Sequence, residues 1–569
     1  MANALPRHLT EFLSYDALTS ILRGIASKHP EFARLHSLTT TPEGRELWCM
    51  TIAPEPDRAR PSVWVDANMH AVELSGTNVC VELIERLVRL HTGGDHGFAE
   101  PLAETLRDVR FFVCPRMAPD GAESVVQTGR YVRSNPRAQH ADPNKAYWAF
   151  ADMNGDGKIL VMRQKDPAGD FVESKEFPGI LLPRELDDEG PFYKLYPEGY
   201  IVNFDGSVPN PYYLSDNDTD LNRNFPYGWK PETDQAGAGR YPMSDPEARA
   251  VVEFTTNEPT IFAWMNYHCF GGVFIRPLGG AADTEMKAGD LALYKQLGAW
   301  AEQNTGYPTV SGFEEFTYDA DVALCGDVSD YAYHQRGAVA LTCELWDLFA
   351  RIGMKRPKRF VDYYTEFGKA ELLRLAAWDK EHNNSMLFVP WHKVQHPQLG
   401  ELEVGGVDTR VGQWNPPVSL LPELCKGHTD FCGRLAALAP KVSISLLSAK
   451  RHPGFTRLQL RVSNTGYLPT HVLDSAKDLP HAAAPSLFID FEDSNLAPPR
   501  RDGDRSVPHL SGWGTGLGAS DLLHGSSRGS QDRYDVEIDV PEVASGVRVR
   551  WSCPRIGEIT RVFAPPYDL

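Results

Sequence analysis

The stretch VWVDANMHAVELSG, residues 63–76, decides how the chain is read. Its apolar and β-branched run, Val63 to Ala67, predicts a strand. That strand delivers His70 and Glu73 into the loop that follows it. An imidazole and a carboxylate at a strand end can point at one common centre, and Zn²⁺ accepts both donor types. A catalytic site would need a third, distant ligand and an open position for water. Taken alone, H-x-x-E describes a surface pair at a helix start equally well, so its company has to decide.

Outward from this stretch the pattern alternates. GTNVCVELIERLVRLH (76–91) carries its apolar residues on one face and predicts a helix. Upstream, SYDALTSILRGIASKHPEF (14–32) has helical spacing, and LHSLTTTPEGRELWCMTIA (35–53) reads as a hairpin turning at Pro42-Glu43-Gly44. Downstream, VRFFVCPRMAPDG (109–121) predicts a strand ending in a Pro119-Asp120-Gly121 turn. Strands alternating with helices predict an α/β sheet with helices on both faces, whose binding residues gather at the carboxyl ends of the strands.

Two later apolar runs end in residues that fit such a site. IFAWMNYHCFGG (261–272) delivers His268, which is either a third ligand or a core histidine. GAVALTCELWD (337–347) delivers Glu344, whose carboxylate must find a partner or do chemistry. It is placed to act as a general base toward a water activated by the metal, or to form a structural ion pair. Arg133, in GRYVRSNPR, is a candidate for stabilising an oxyanion. Asn222 and Arg223, in DLNRNF, offer an amide and a planar fork suited to a carboxylate.

In order along the chain, His70 and Glu73, the turn at 119–121, Arg133 in VRSNPR, DLNRNF at 220–225, His268, DYAYHQRG at 330–337 and TCELWD around Glu344 resemble the zinc metallocarboxypeptidases of the carboxypeptidase A/B and N/E kind. The resemblance covers roughly the first 385 residues. It implies a mixed twisted sheet flanked by helices and one catalytic zinc held by His70, Glu73 and His268. It also implies Glu344 as general base and acid, Arg133 polarising the scissile carbonyl, and Asn222 and Arg223 holding the substrate's C-terminal carboxylate. Asp220 matches an aspartate that orients the first zinc histidine. Tyr318 is the best match to a tyrosine that closes over the bound C-terminus, at a spacing to Glu344 a few residues longer than the family's. Within CGDVSDYAY, Asp327 or Ser329 would line the side-chain pocket, and an aspartate there favours a basic C-terminal residue. Val72 stands where digestive members often carry Arg.

A long insertion, about residues 138–218, separates Arg133 from Asn222. It contains DMNGDGKIL, where Asp152, Asn154 and Asp156 alternate before Gly157 as in the first half of a calcium loop. The twelfth position is Arg163 where a Glu would close the shell, so Glu173 or a carboxylate of ELDDEG would have to complete it. The other reading is a turn with no ion.

The domain reading is a catalytic unit over 1–385, a connecting segment of strands and turns over 386–438, and an all-β sandwich over 439–569. The last rests on alternating runs such as TRLQLRVSN, YDVEIDV and GVRVRWSC. The chain has 569 residues, 42% hydrophobic and 23% charged, with a net charge of −19 and no basic block. That balance argues against nucleic acid and anionic membranes as partners. Nine cysteines without C-x-x-C spacing read as reduced, mostly buried thiols. The opening MANALPRHLTEFLSYDALTS has no basic start and uninterrupted apolar core, which predicts a cytoplasmic protein. The expected activity is hydrolysis at peptide or protein C-termini. A zinc amidohydrolase, deacylase or cell-wall peptide hydrolase, and an inactive peptide-binding protein, are the alternatives; oligomeric state stays open.

Overall fold

The apolar runs quoted above form the middle of an eight-stranded mixed sheet. Its strands are β1 (Ala33–Thr40), β2 (Glu46–Ile52), β3 (Ser62–Ala67), β4 (Arg110–Cys114), β5 (Ile261–Cys269), β6 (Val273–Arg276), β7 (Thr309–Ser311) and β8 (Val339–Leu345). Their spatial order is β1-β2-β4-β3-β5-β8-β6-β7. The central four, β4, β3, β5 and β8, are parallel to their neighbours within that group. Helices cover the sheet, so β3 and β5 are buried at every position, which is why their sequences are apolar runs without alternation. The computed structural model describes residues 5–137, 144–210, 219–317, 323–492, 505–514 and 529–567.

The register explains how the site arises. Trp64 pairs with Trp264 and Ala67 with Tyr267 between β3 and β5, and His268 pairs with Glu344 between β5 and β8. Parallel strands in this register end on one edge, so the loop after β3 lands beside His268 and Glu344. Beneath that edge Asp66 is fully buried. It accepts bonds from Trp64 Nε1 (2.6 Å), Trp264 Nε1 (2.8 Å) and the Asn266 amide. Burial outweighs those bonds and pushes its carboxyl up to about 7.

The predicted turn at 119–121 is the first turn of a helix, Pro119–Thr128, with Pro at its start, where a missing N–H costs nothing. Gly121 is there because a Cβ would stand 2.0 Å from the Ser134 carbonyl oxygen and 2.6 Å from Ala71 Cβ. The helix can therefore press against both the His70 loop and the Arg133 segment.

The insertion builds a second sheet. Strands Val161–Lys165, Phe171–Glu173, Leu181–Pro183 and Phe192–Pro197 are extended by Phe388–His396 and Gly400–Val407, with Val404 opposite Met162. Residues 386–438 thus hold more than the expected strands and turns. Their hairpin completes the insertion's sheet, and a helix, Leu421–Ala436, packs against the helix Ser75–Thr92. Cys425, Phe431 and Leu435 on that helix join the main core.

From residue 442 a three-stranded and a four-stranded antiparallel sheet enclose one core, including Leu458, Leu460, Val536, Ile538, Val549 and Trp551, as expected of a β-sandwich. Arg555 reaches from it into the main domain, fully buried. Its guanidinium donates to the carbonyls of Pro259 (3.1 Å), Ile261, Arg336 (2.6 Å) and Gly337 (3.3 Å). Bonds from a charged donor are each worth about 1.5–3 kcal/mol, so Arg555→Ala is expected to cost about 3 kcal/mol or more. A lowered urea midpoint with native secondary structure retained in buffer is the result to look for; an unchanged midpoint would show that the plug carries no load. All nine cysteines are free, and eight are buried. Among the described residues no helix is long and apolar enough to cross a membrane.

Candidate metal centre and active site

The loop after β3 is held from three sides. Asn68 adopts a left-handed φ of 56° and donates to the carbonyls of His70 (2.9 Å) and Ala71 (3.0 Å). Ala71 and Val72 donate their N–H groups to Arg133 O (2.6 Å) and Val132 O (3.2 Å), which brings the arginine alongside. Asn415, far along the chain, donates to Val72 O (2.8 Å) and accepts from Ser75 N (2.9 Å).

This bracing directs three buried side chains to one place. His70 Nδ1 lies 2.7 Å from Glu73 Oε1 and 2.9 Å from His268 Nδ1, which is 3.0 Å from Glu73 Oε2. One donor atom from each of the three lies within 4.8 Å of the others, and the residues are 3%, 1% and 1% exposed. Glu73 Oε2 is buried and, although His268 Nδ1 lies 3.0 Å away, makes no hydrogen bond. Burial opposes ionisation of Glu73, yet the two adjacent imidazoles hold its carboxyl down to about 2. Two nitrogens and a carboxylate turned inward on one point, partly orphaned, fit a Zn²⁺ site.

Asp220 stands behind this trio. Its Oδ1 lies 3.1 Å from His70 Nε2, and its Oδ2 accepts from Arg133 Nε at 3.1 Å. Burial opposes its charge, but Arg133 and His70 keep the carboxyl well below the usual range. The same aspartate caps the short turn Leu221–Arg223 by accepting from Asn222 N (2.8 Å), so one side chain ties the His-Glu-His cluster to the Asn-Arg pair.

A cavity of about 290 Å³ collects the predicted residues: His70, Glu73, Arg133, Asn222, Arg223, Asp327 and Glu344 all line it. Burial and then the charge of Glu73 push the Glu344 carboxyl well up, against the pull of Arg133. Asp327 Oδ1 accepts from Asp330 N (2.9 Å), while its Oδ2 is buried without a hydrogen-bond partner. Burial raises Asp327, and burial with the adjacent Asp327 charge pushes Asp330 up to about 8. Ser329, the other pocket candidate, meets Thr342 Oγ1 at 2.5 Å. Tyr318 lies outside the described residues.

Three lining or bracing residues went unnoticed in the sequence: Tyr364, which donates to Phe270 O (2.5 Å), Trp414 and Asn415. Their neighbours carry no spacing that marks a site, and the contacts that define them join residues 94 to 343 positions apart.

The calcium reading of 152–157 finds no support. Asp152 Oδ1 accepts from Asn154 N (3.2 Å) and Gly155 N (2.6 Å), its Oδ2 from Gly157 N (2.8 Å), and Asp156 Oδ1 from Lys158 N (2.8 Å). Glu173, expected to complete the shell, is bound to Arg163 at 3.1 Å, and Arg163 also holds Glu403 at 2.7 Å. The alternating residues close a turn on its own backbone amides.

The sequence model of the zinc carboxypeptidase family matches residues 18–173 and 205–365, and a family described as a domain of unknown function matches 441–564. A zinc carboxypeptidase of Saccharothrix mutabilis subsp. capreolus is 28% identical over 26% of this chain and 34% of its own length. Carboxypeptidase D of Drosophila melanogaster is 29% identical over 30% of this chain and 12% of its own. The chain thus spans about a third or less of these curated relatives. Among solved structures, bovine thrombin-activatable fibrinolysis inhibitor, in complex with a tick carboxypeptidase inhibitor, covers 75% of this chain and 97% of its own at 14% identity and a TM-score of 0.42. With more than half of its residues matched in two blocks that contain the whole His-Glu-His cluster and Glu344, this chain belongs to the zinc carboxypeptidase family.

Proposed function

We propose that the chain is a zinc-dependent metallocarboxypeptidase that hydrolyses the last peptide bond of peptides or proteins. The observation that carries this reading is one cavity lined by His70 and Glu73 of the buried His-Glu-His cluster, by Glu344 and Arg133, and by Asn222 and Arg223. His70, Glu73 and His268 would hold the zinc. When bound, the metal supplies a Lewis acid that acidifies water and polarises a carbonyl.

Asn222 and Arg223 receive the substrate's C-terminal carboxylate, and so set which amide bond lies beside the cluster. Glu344 removes a proton from the attacking water as the new C–O bond forms, then gives it to the amine nitrogen as the C–N bond breaks. Arg133 offsets charge developing on the carbonyl oxygen. Asp327, with one partnerless oxygen in the same cavity, favours a basic C-terminal side chain.

Asp220 orients both His70 and Arg133 in this scheme. Asp220→Asn is therefore expected to weaken zinc binding about 10- to 100-fold, measured by competition with a chromogenic chelator. Affinity within twofold of wild type would remove Asp220 from the scheme.

The deciding experiment is release of C-terminal amino acids from a mixed peptide library by the zinc-loaded protein. Free amino acids from the C-terminus, Lys and Arg foremost, are expected. A zinc-loaded protein that trims no C-terminus sinks the carboxypeptidase reading and brings forward another amide substrate or a binding role. The free α-carboxylate site at Asn222 and Arg223 speaks against the former.

A further inference from the structure

Trp414 lies beyond residue 365, where the family match ends, on a segment that closes over the active-site edge. Gly412 N donates to Asn415 O (2.7 Å) and shuts a tight turn. Trp346, two residues past Glu344, donates its Nε1 to Gly412 O (3.2 Å). Asn415, fully buried, bonds both Val72 and Ser75 on the metal-binding loop. Arg410 forks onto Asp408 (2.9 and 2.7 Å) and donates to Val126 O (3.0 Å). Residues 408–415 therefore bridge the loop that carries His70 and Glu73 and the strand that carries Glu344.

The indole on this bridge is half-buried and lines the catalytic cavity. Its ring centre lies 5.2 Å from Phe270, edge to face at 87°, and 5.7 Å from Tyr131. Phe270 follows His268 by two residues and Tyr131 precedes Arg133 by two, so this aromatic wall stands at the metal end. Asn222, Arg223, Asp327 and Asp330 line the cavity too, and they are tied together: Asn222 Oδ1 accepts from Val328 N (3.0 Å), between the two aspartates. A peptide whose carboxylate rests on that polar group and whose last amide bond lies at the cluster must run its preceding residue past the metal end.

We propose that Trp414 is a specificity-determining residue that receives the side chain on the N-terminal side of the scissile bond, selecting peptides with an aromatic or bulky apolar penultimate residue. This rests on the carboxypeptidase reading above. An aromatic face in a cleft gains both buried area and ring geometry from such a side chain and gains nothing from glycine.

The test uses the zinc-loaded full chain and two peptides that share the best-released C-terminal residue and carry Phe or Gly before it. Trp414→Ala is expected to lower kcat/KM for the Phe peptide about tenfold and to leave the Gly peptide within about twofold. Trp414→Phe, which keeps an aromatic ring against Phe270 and Tyr131, is expected to shift the Phe/Gly preference about threefold. If Trp414→Ala loses zinc, Trp414→Phe alone decides, and an unchanged preference in it overturns the proposal. Equal losses on both peptides with zinc retained also overturn it, while the carboxypeptidase reading stands. A wild type that releases nothing from either peptide overturns both.

Discussion

Glu344→Gln is expected to retain zinc and to lose release of C-terminal residues by about 10²- to 10⁴-fold, the range a positioned general base contributes. The substitution is close to isosteric, so the fit of β8 beside β5 and the register of His268 with Glu344 should survive. What disappears is the ability to take a proton, since an amide is not basic at neutral pH. The trio that would bind metal does not include this residue, so metal content and catalysis are separable here. Any charge on Glu344 stands in a half-buried site near the carboxylate of Glu73, a placement that costs stability when ionised. The variant should therefore melt no lower than wild type. Metal analysis, kcat on one good peptide and a melting curve test this together, and activity within tenfold of wild type would remove Glu344 as the base.

His268→Ala is expected to abolish stoichiometric zinc and, with it, activity. The remaining His70 and Glu73 would be two ligands where catalytic zinc sites use three. Metal that binds only the folded state at 1,000 times its Kd stabilises by about 4 kcal/mol. Wild type should therefore melt earlier when a strong chelator is added, whereas His268→Ala should show no chelator effect. A core histidine with no ligand role predicts the opposite pattern. The chelator would then leave wild type unmoved, and His268→Ala would lose only the stability of a truncated core residue. The comparison separates the two readings without an activity assay.

Much of this centre is legible in the sequence. β3 and β5 are buried at every position and β8 at all but Glu344, so all three read as mostly apolar runs without alternation, and their carboxyl ends carry the candidate site residues. The hairpin at Pro42-Glu43-Gly44 carries a local turn signal, and β1 and β2 pair across it. Other elements were not legible. The Pro-Asp-Gly at 119–121 reads locally as a turn, and only contact with Ala71 and Ser134 shows a helix start that must lack a Cβ. The helix Leu421–Ala436 lies within a stretch whose sequence predicts a connecting segment of strands and turns, although it belongs to the main core. DMNGDGKIL has the opening spacing of a calcium loop, yet its carboxylates cap the amides of their own turn.

By itself the sequence determined the donor types, their placement at strand ends, the α/β order of the first domain and the alternating strands of the last. These are written in periods of a few residues and in the chemistry of single side chains. The tertiary structure decided the rest: that His268 and Glu344 lie in register, that Asp220 reaches both His70 and Arg133, and that the hairpin after residue 388 completes a sheet begun in the insertion. It alone brought Asn415 to Val72, 343 positions away, and set Trp414 in the same cavity as His70 and Glu73. Such pairings depend on how whole elements pack, and a residue whose only partner is distant leaves no local pattern by which to recognise it.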